Sequence, residues 1–148
     1  MDELMVRLAN EVVGQMNSHL YSAVEGLERE AAVTALFRAY RDYVHSAPEL
    51  YRLVIRLPQS SNQEVAKIAE QITGPVVRVL EGYKLSDEQI VHCQRYLRSL
   101  LHGFSALEQK GYLSHWEPPT DVSYSFIAGT AADYLRDLEN SGGHKVEK

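Results

Sequence analysis

The strongest constraint on the fold is a long apolar series near the centre of the chain. Apolar residues recur there at intervals that alternate between three and four positions, the spacing of one side of an α-helix. The series consists of Ile90, Cys93, Leu97, Leu100, Phe104 and Leu107. Ser86 and Gln89 have the spacing of a capping box at the start of such a helix, and Gly111 provides its end. The pattern therefore predicts a long helix over about Ser86–Lys110.

Five further segments have the same helical period, and no segment alternates strictly between apolar and polar residues for long. We expect these helices at about Asp2–Glu25, Arg29–Ser46, Pro48–Leu57, Gln63–Tyr83 and Asp121–Glu139. The pair Gly74-Pro75 lies inside the fourth helix, and a proline in a helix interior removes a backbone hydrogen bond. A kink or local break is therefore expected near Gln71–Thr73, within an all-α bundle of six helices.

Length and cysteine content limit the domain organisation. The 148 residues correspond to one domain, which we place at residues 1–139. The remaining residues, 140–148, have the sequence NSGGHKVEK and predict a disordered polar tail. The single cysteine, Cys93, excludes an internal disulfide and is expected to be a small core side chain.

Charge and hydropathy argue against binding to nucleic acid and against insertion into a membrane. The formal net charge is −5 and the pI is about 5.7, so the chain as a whole is a poor match for nucleic acid. The opening residues, MDELMVRLANEV, lack the basic and apolar regions of a signal peptide. No apolar run of about 18 residues is present, so we expect a cytoplasmic protein that does not span a membrane.

The sequence contains none of the motifs that would indicate an enzyme. It has no GxSxG, HExxH, P-loop or dinucleotide-binding pattern. The six histidines fall on separate elements, and no helix has a metal-binding pair at positions i and i+4. We therefore expect neither catalysis nor a bound cofactor or metal.

Aromatic and flexible side chains on the inward faces suggest a ligand cavity. Tyr40 and Tyr51 have polar tips, and Phe37 and Met16 are apolar. A mostly apolar cavity with a few polar groups is the usual small-molecule site, although the same residues could instead simply fill the core. His102 also has two interpretations: a partly buried histidine whose hydrogen bonds are satisfied within the protein, or a residue that contacts a ligand. The helix-interior Gly103 suggests close packing against another helix.

Two segments resemble the TetR family of transcriptional regulators. The sequence LHGFSALE at Leu101–Glu108, followed by Gly111, resembles the "HG…SLE…G" segment of the C-terminal regulatory domain often called the WHG domain. The sequence AY at residues 39–40, followed by HSAPELYRL at residues 45–53, resembles the family's "AY…HP-x-LYRLM" segment. A weaker match is PTD at residues 119–121, leading to Phe126. The resemblance covers about residues 30–139. One departure is Arg98, which lies near the position of the tryptophan that helps name the domain.

The resemblance implies a six-helix orthogonal bundle with two functional surfaces. In the family, the helices that correspond to the first five here surround an effector pocket. The residues expected to bind a small apolar or aromatic effector are Met16, Phe37, Tyr40, Tyr51, Ile72, Val76, Leu101 and His102. The last two helices of the family pair with their copies in a homodimer. The residues expected at that interface are Leu100, Phe104, Leu107, Val122, Ser125, Phe126, Ala128, Gly129 and Ala132.

The resemblance also implies how such a domain acts. In the family, the first helix connects the regulatory domain to a three-helix DNA-binding domain. The sequence begins inside that helix, and no basic helix-turn-helix is found elsewhere in it. We therefore expect contact with DNA only through an N-terminal domain outside these residues, and repression that a ligand relieves. Two alternatives remain: a helical interaction protein with a filled core, and a truncated regulator that heterodimerises with an intact one.

Overall fold

A computed structural model describes residues 2–57 and 61–142, and its regular structure is entirely helical. The all-α prediction is therefore confirmed. The described residues form α1 (Asp2–Val24), α2 (Arg29–Ser46), α3 (Pro48–Arg56), α4 (Gln63–Glu70), α5 (Thr73–Leu80), α6 (Asp87–Gln109) and α7 (Thr120–Ser141). Within this part of the chain, no helix combines the length and apolar character that crossing a membrane requires.

The fourth predicted helix is two helices, α4 and α5, which meet at Gln71 and Ile72. The expected break is therefore present, and it precedes the proline. Pro75 lies in the first turn of α5, where a missing backbone N–H leaves no hydrogen bond unmade. Gly74 lets this turn approach α1 closely, because a Cβ at that position would collide with the hydroxyl of Tyr21.

The helix at the centre of the bundle is α2, although the apolar seam of the sequence is longest in α6. Helix α2 contacts α1, α3, α5, α6 and α7. Its buried residues are Ala32, Val33, Leu36, Phe37, Ala39, Tyr40, Tyr43 and Val44. They belong to a large core that all helices except α4 share, and Cys93 lies in it as predicted. Helix α4 packs against α1 in a smaller apolar cluster.

The carboxylate of Glu108, near the end of α6, joins three helices. It accepts two hydrogen bonds from the guanidinium of Arg41, at 3.1 Å from Nε and 2.6 Å from Nη2. It also accepts from His45 Nε2 at 3.0 Å and from Thr120 Oγ1 at 2.8 Å. Burial alone would raise the pKa of Glu108, but the hydrogen bonds from Arg41, His45 and Thr120 lower it to about 2. The ionised carboxylate therefore fixes α2, α6 and the start of α7 together.

Helix ends follow the predicted signals in part. Ser86 and Gln89 form the expected capping box, and Asn62 caps α4. The last helix was predicted to begin at Asp121, but α7 begins one residue earlier, at Thr120, and has no side-chain cap. The helix continues to Ser141, two residues beyond its predicted end. Residues 143–148 of the predicted tail lie outside the described part of the chain.

Candidate functional site

A cavity of about 340 Å³ lies between α1, α2, α3, α5 and α6. Its wall is mostly apolar, with polar groups concentrated on α2, α3 and α6. The apolar lining residues are Met16, Leu20, Val54, Ile55, Ile72, Val76 and Leu101. The polar lining residues are Tyr40, Tyr51, Arg95, Arg98, Ser99 and His102.

The helical period explains how each helix contributes to the wall. Helix α1 supplies Met16 and Leu20, which are four residues apart and so lie on one side of the helix. Helix α6 supplies Arg95, Ser99 and His102 at the same kind of interval, with Arg98 and Leu101 beside them. The cavity therefore faces one continuous strip of α6, and that strip is the most polar part of its wall.

A chain of three hydrogen-bonded side chains closes one part of the cavity. The hydroxyls of Tyr40 and Tyr51 are 2.7 Å apart, and the Tyr51 hydroxyl lies 2.7 Å from His102 Nδ1. Each hydroxyl has one hydrogen, so Tyr51 can donate to only one of these two neighbours. If Tyr51 donates to the ring nitrogen, it accepts from Tyr40. If the ring nitrogen donates to Tyr51, the Tyr51 hydroxyl can donate to Tyr40. The Tyr40 hydroxyl can then donate its own hydrogen to another acceptor.

The three groups are neutral near pH 7. Burial raises the pKa of Tyr40 well above its usual value, and the neighbouring Tyr51 raises it further. Burial raises the pKa of Tyr51 to about 12. Burial and the positive charge of Arg98 lower the pKa of His102 below its usual 6.5. The chain therefore offers a ligand neutral hydroxyl and imidazole groups that hydrogen-bond without carrying a charge.

The structure brings seven of the eight predicted ligand-binding residues around this cavity. They are Met16, Tyr40, Tyr51, Ile72, Val76, Leu101 and His102. The prediction was wrong for Phe37, which packs on the other side of α2. Its ring lies 5.7 Å from that of Tyr124 on α7, and its carbonyl accepts the Tyr124 hydroxyl. Because α2 is surrounded by other helices, an inward-facing residue on it can face either the cavity or α7.

Six residues of the wall were not predicted. They are Leu20, Val54, Ile55, Arg95, Arg98 and Ser99. The first three belong to the apolar faces of α1 and α3. The helical period shows that such residues face inward, but it does not distinguish a residue that lines a cavity from one packed in the core. A signal for the other three did exist, because Arg95, Ser99 and His102 share a side of α6. That side contains charge, whereas a prediction based on apolar and aromatic residues does not select arginines.

The predicted dimer residues divide between an exposed surface and the chain's own core. Leu107, Val122 and Phe126 are 44%, 51% and 70% exposed. Ser125 and Gly129 are also exposed, and Leu100 is half-buried. These six residues occupy the outer side of α6 and α7. Three large apolar side chains, Leu107, Val122 and Phe126, are therefore exposed to solvent on these two helices.

The other three predicted interface residues are Phe104, Ala128 and Ala132. Their assignment to the interface is corrected, because all three are buried within this chain. The ring of Phe104 lies 4.9 Å from that of Tyr124. Ala128 and Ala132 follow Tyr124 at four-residue intervals, so they lie on the inner side of α7, which packs against α2. Both α6 and α7 have apolar residues on two sides, and the sequence does not distinguish the inner side from the outer one.

The outer surface of these helices also contains two glycines without packing neighbours. Among the described residues, no other element comes within 4 Å of a Cβ placed on Gly103 or Gly129. No described helix of this chain therefore provides the close packing expected at Gly103. We call the surface formed by Leu100, Gly103, Leu107, Val122, Ser125, Phe126 and Gly129 the α6–α7 face. A groove of about 460 Å³ borders it and is lined by Leu100, Leu107 and the exposed Trp116, among others.

Comparisons with known proteins identify one family model and two related regulators. The sequence model of the family described as "Tetracyclin repressor-like, C-terminal domain" matches residues 33–131. The "Uncharacterized HTH-type transcriptional regulator Rv0681" of Mycobacterium tuberculosis is 29% identical over 128 residues, which is 84% of this chain and 57% of the relative. The "Uncharacterized HTH-type transcriptional regulator YobS" of Bacillus subtilis is 31% identical over 110 residues, which is 73% of this chain and 54% of the relative. The chain thus spans just over half the length of both relatives.

A solved structure has the same fold. It is described as a protein with unknown function from Rhodococcus sp. RHA1, and it superposes with a TM-score of 0.77 at 19% sequence identity. The superposition covers 91% of this chain and 74% of that protein. The similarity therefore supports the arrangement of the helices.

Proposed function

The chain belongs to the tetracyclin repressor-like C-terminal domain family, and from that premise we propose that it is the ligand-sensing and dimerisation domain of a TetR-like transcriptional regulator. The observation that carries the ligand-sensing part is the cavity of about 340 Å³. It is large enough for a small organic molecule, and its apolar wall with a few hydrogen-bonding groups is typical of such sites. A helical interaction protein with a filled core is disfavoured for the same reason.

The position of the cavity suggests how a ligand would be sensed. Met16 and Leu20 of α1 form part of its wall, and both side chains are fully buried. A ligand that fills the cavity contacts these residues and biases the position of α1 against α2 and α5. In regulators of this family, the helix at this position connects to the DNA-binding domain. We propose that the displacement of α1 is the signal, and that it relieves repression.

We propose further that the α6–α7 face mediates a homodimer with two-fold symmetry. Its apolar residues on α6 recur at intervals of three or four, as do those on α7, which is the spacing of helices that pack side by side. Gly103 and Gly129 allow a second pair of helices to approach closely. Contact with DNA would belong to another part of the regulator, because the chain has a net charge of −5. Heterodimerisation with an intact regulator would use the same face.

A cavity-filling variant tests the ligand-sensing part of the proposal. Val76 lines the cavity, so in Val76→Phe the added ring would extend into empty space. With 1-decanol as a neutral apolar probe, we expect the melting temperature of the native chain to rise because the probe binds the folded state. The variant should keep its helical circular dichroism spectrum and lose that rise. Val91→Phe, at an exposed position of α6 that does not line the cavity, is the matched control and should retain it.

The proposal would be contradicted if 1-decanol left the melting temperature of the native chain unchanged. It would also be contradicted if Val76→Phe folded and responded to the probe as the native chain does.

A further inference from the structure

The strip of α6 that faces the cavity is positively charged. Arg95 and Arg98 are three residues apart on this helix, and both line the cavity. Among the residues that the structure describes, no aspartate or glutamate lines the cavity. The cavity wall therefore contains two fixed positive charges and no negative charge to balance them.

Within the described part of the chain, neither guanidinium forms an ion pair. Nη1 of Arg98 donates only a long hydrogen bond of 3.4 Å to the neutral amide of Gln94. The donor groups of Arg95 and Arg98 are therefore free to bind an acidic group that enters the cavity.

The charge of Arg98 acts on the polar part of the cavity. It lowers the pKa of His102, and it opposes the rise in the pKa of Tyr40 that burial causes. Arg98 and His102 are four residues apart on α6 and both line the cavity, so the two side chains lie on one side of that helix. The residues that α1 and α5 contribute to the wall, Met16, Leu20 and Val76, are apolar. The cavity wall thus combines a cationic, hydrogen-bonding part with an apolar part.

Resting on the proposed function, we propose that the effector is a monocarboxylate with an apolar body, whose carboxylate is bound by Arg95 and Arg98. A guanidinium presents paired N–H donors that match the two oxygens of a carboxylate, and such charge-assisted bonds are stronger than neutral ones. The apolar body would lie against Met16, Leu20 and Val76, where it is removed from water.

Three probes of equal chain length separate the contribution of the head group from that of the apolar body. We would titrate the purified 148-residue chain with decanoate, 1-decanol and decylammonium and measure each Kd by calorimetry. Decanoate should bind about tenfold more tightly than 1-decanol, or better, because charge-assisted hydrogen bonds to guanidinium groups are stronger than those of a neutral hydroxyl. Decylammonium should bind more weakly than 1-decanol, because its charge faces two guanidinium groups.

A double variant assigns the preference to the two arginines. In Arg95→Gln/Arg98→Gln, decanoate should lose its advantage, while the Kd of 1-decanol stays within about twofold. The matched control is Arg7→Gln/Arg38→Gln, which removes the same charge from exposed positions on α1 and α2 that do not line the cavity. The control should keep the preference for decanoate.

The outcomes separate this inference from the proposed function. Equal binding of decanoate and 1-decanol by the native chain would overturn the carboxylate proposal. It would not contradict the proposal that the cavity binds a ligand. A preference that survives in Arg95→Gln/Arg98→Gln would also overturn it. Failure of all three probes to bind the folded native chain would contradict both the effector class and the ligand cavity on which it rests.

Discussion

The hydroxyl of Tyr51 lies 2.7 Å from Nδ1 of His102, and this hydrogen bond links α3 to α6 across the edge of the cavity. The two residues are 51 positions apart in the sequence. Tyr51 is fully buried, and its hydroxyl also meets that of Tyr40. One side chain thus links three helices, α2, α3 and α6, beside the cavity.

Replacing Tyr51 with phenylalanine should therefore destabilise the fold. The variant Tyr51→Phe leaves the Tyr40 hydroxyl and His102 Nδ1 without their shared partner, and an unsatisfied buried polar group costs about 1–3 kcal/mol. Urea denaturation followed by circular dichroism would measure the free energy of unfolding. Tyr112→Phe is the control, because Tyr112 is exposed and its loss of a hydroxyl should change little. Equal stability of Tyr51→Phe and the native chain would contradict the role of this hydrogen bond.

Glu108 should make the stability depend on pH in the acid range. Its pKa in the folded chain is about 2, below its ordinary value of 4.5. A lowered pKa stabilises the fold above the unfolded value, and this contribution is lost as the pH falls from about 4.5 towards 2. The shift corresponds to stabilisation on the order of 3 kcal/mol.

The variant Glu108→Gln removes the charge and keeps the size of the side chain. We expect it to lower the melting temperature at pH 7 and to flatten the fall in stability between pH 5 and pH 2. Glu49→Gln is a matched control, because Glu49 is exposed and pairs only with Arg52. Parallel curves of melting temperature against pH for Glu108→Gln and the native chain would contradict this assignment.

Two glycine-to-alanine substitutions should have opposite effects. At Gly14, an exposed position of α1 with no atom within 4 Å of the new Cβ, alanine should stabilise the chain by about 0.5–1 kcal/mol. At Gly74, the new Cβ would collide with the Tyr21 hydroxyl, so alanine should destabilise it despite its better helix propensity. Adding Tyr21→Phe should relieve part of that loss. Unfolding free energies for the three variants test this, and a stabilised Gly74→Ala would show that α1 and α5 are not in such close contact.

The homodimer can be tested at Gly129, which is exposed on the α6–α7 face. Arginine at this position places a long charged side chain where two helices would meet, so Gly129→Arg should shift the chain from dimer to monomer. Sedimentation velocity at micromolar concentration would measure the shift. Gly14→Arg is the control, because it makes the same change on an exposed part of α1. A native chain that is monomeric, or a Gly129→Arg variant that remains dimeric, would exclude this interface.

The helices were predictable because their signals are local. The capping box at Ser86 and the apolar period of each segment depend on residues a few positions apart. The break before Gly74-Pro75 was predictable for the same reason, since a proline fits the first turn of a helix better than its interior. Local chemistry therefore gave most of the element boundaries.

The sites were less predictable, because they depend on which of two neighbours an apolar side chain faces. Phe37 and Tyr40 are both buried on α2, yet one faces α7 and the other the cavity. Ala128 and Gly129 are adjacent on α7, yet one is buried and the other exposed. Burial against another part of the chain is a non-local property that the helical period does not encode. The charged strip at Arg95 and Arg98 was missed because exposed arginines are usually only a solvated surface.

The most direct test of the ligand cavity is the NMR signal of the Met16 methyl group. Met16 is fully buried in the cavity wall, whereas Met5 is 36% exposed on the same helix and does not line the cavity. In the chain labelled with ¹³C-methyl methionine, titration with decanoate should shift the Met16 resonance in a saturable manner and leave that of Met5 in place. An unchanged Met16 resonance at saturating probe, or equal shifts of both methyl groups, would contradict binding in this cavity.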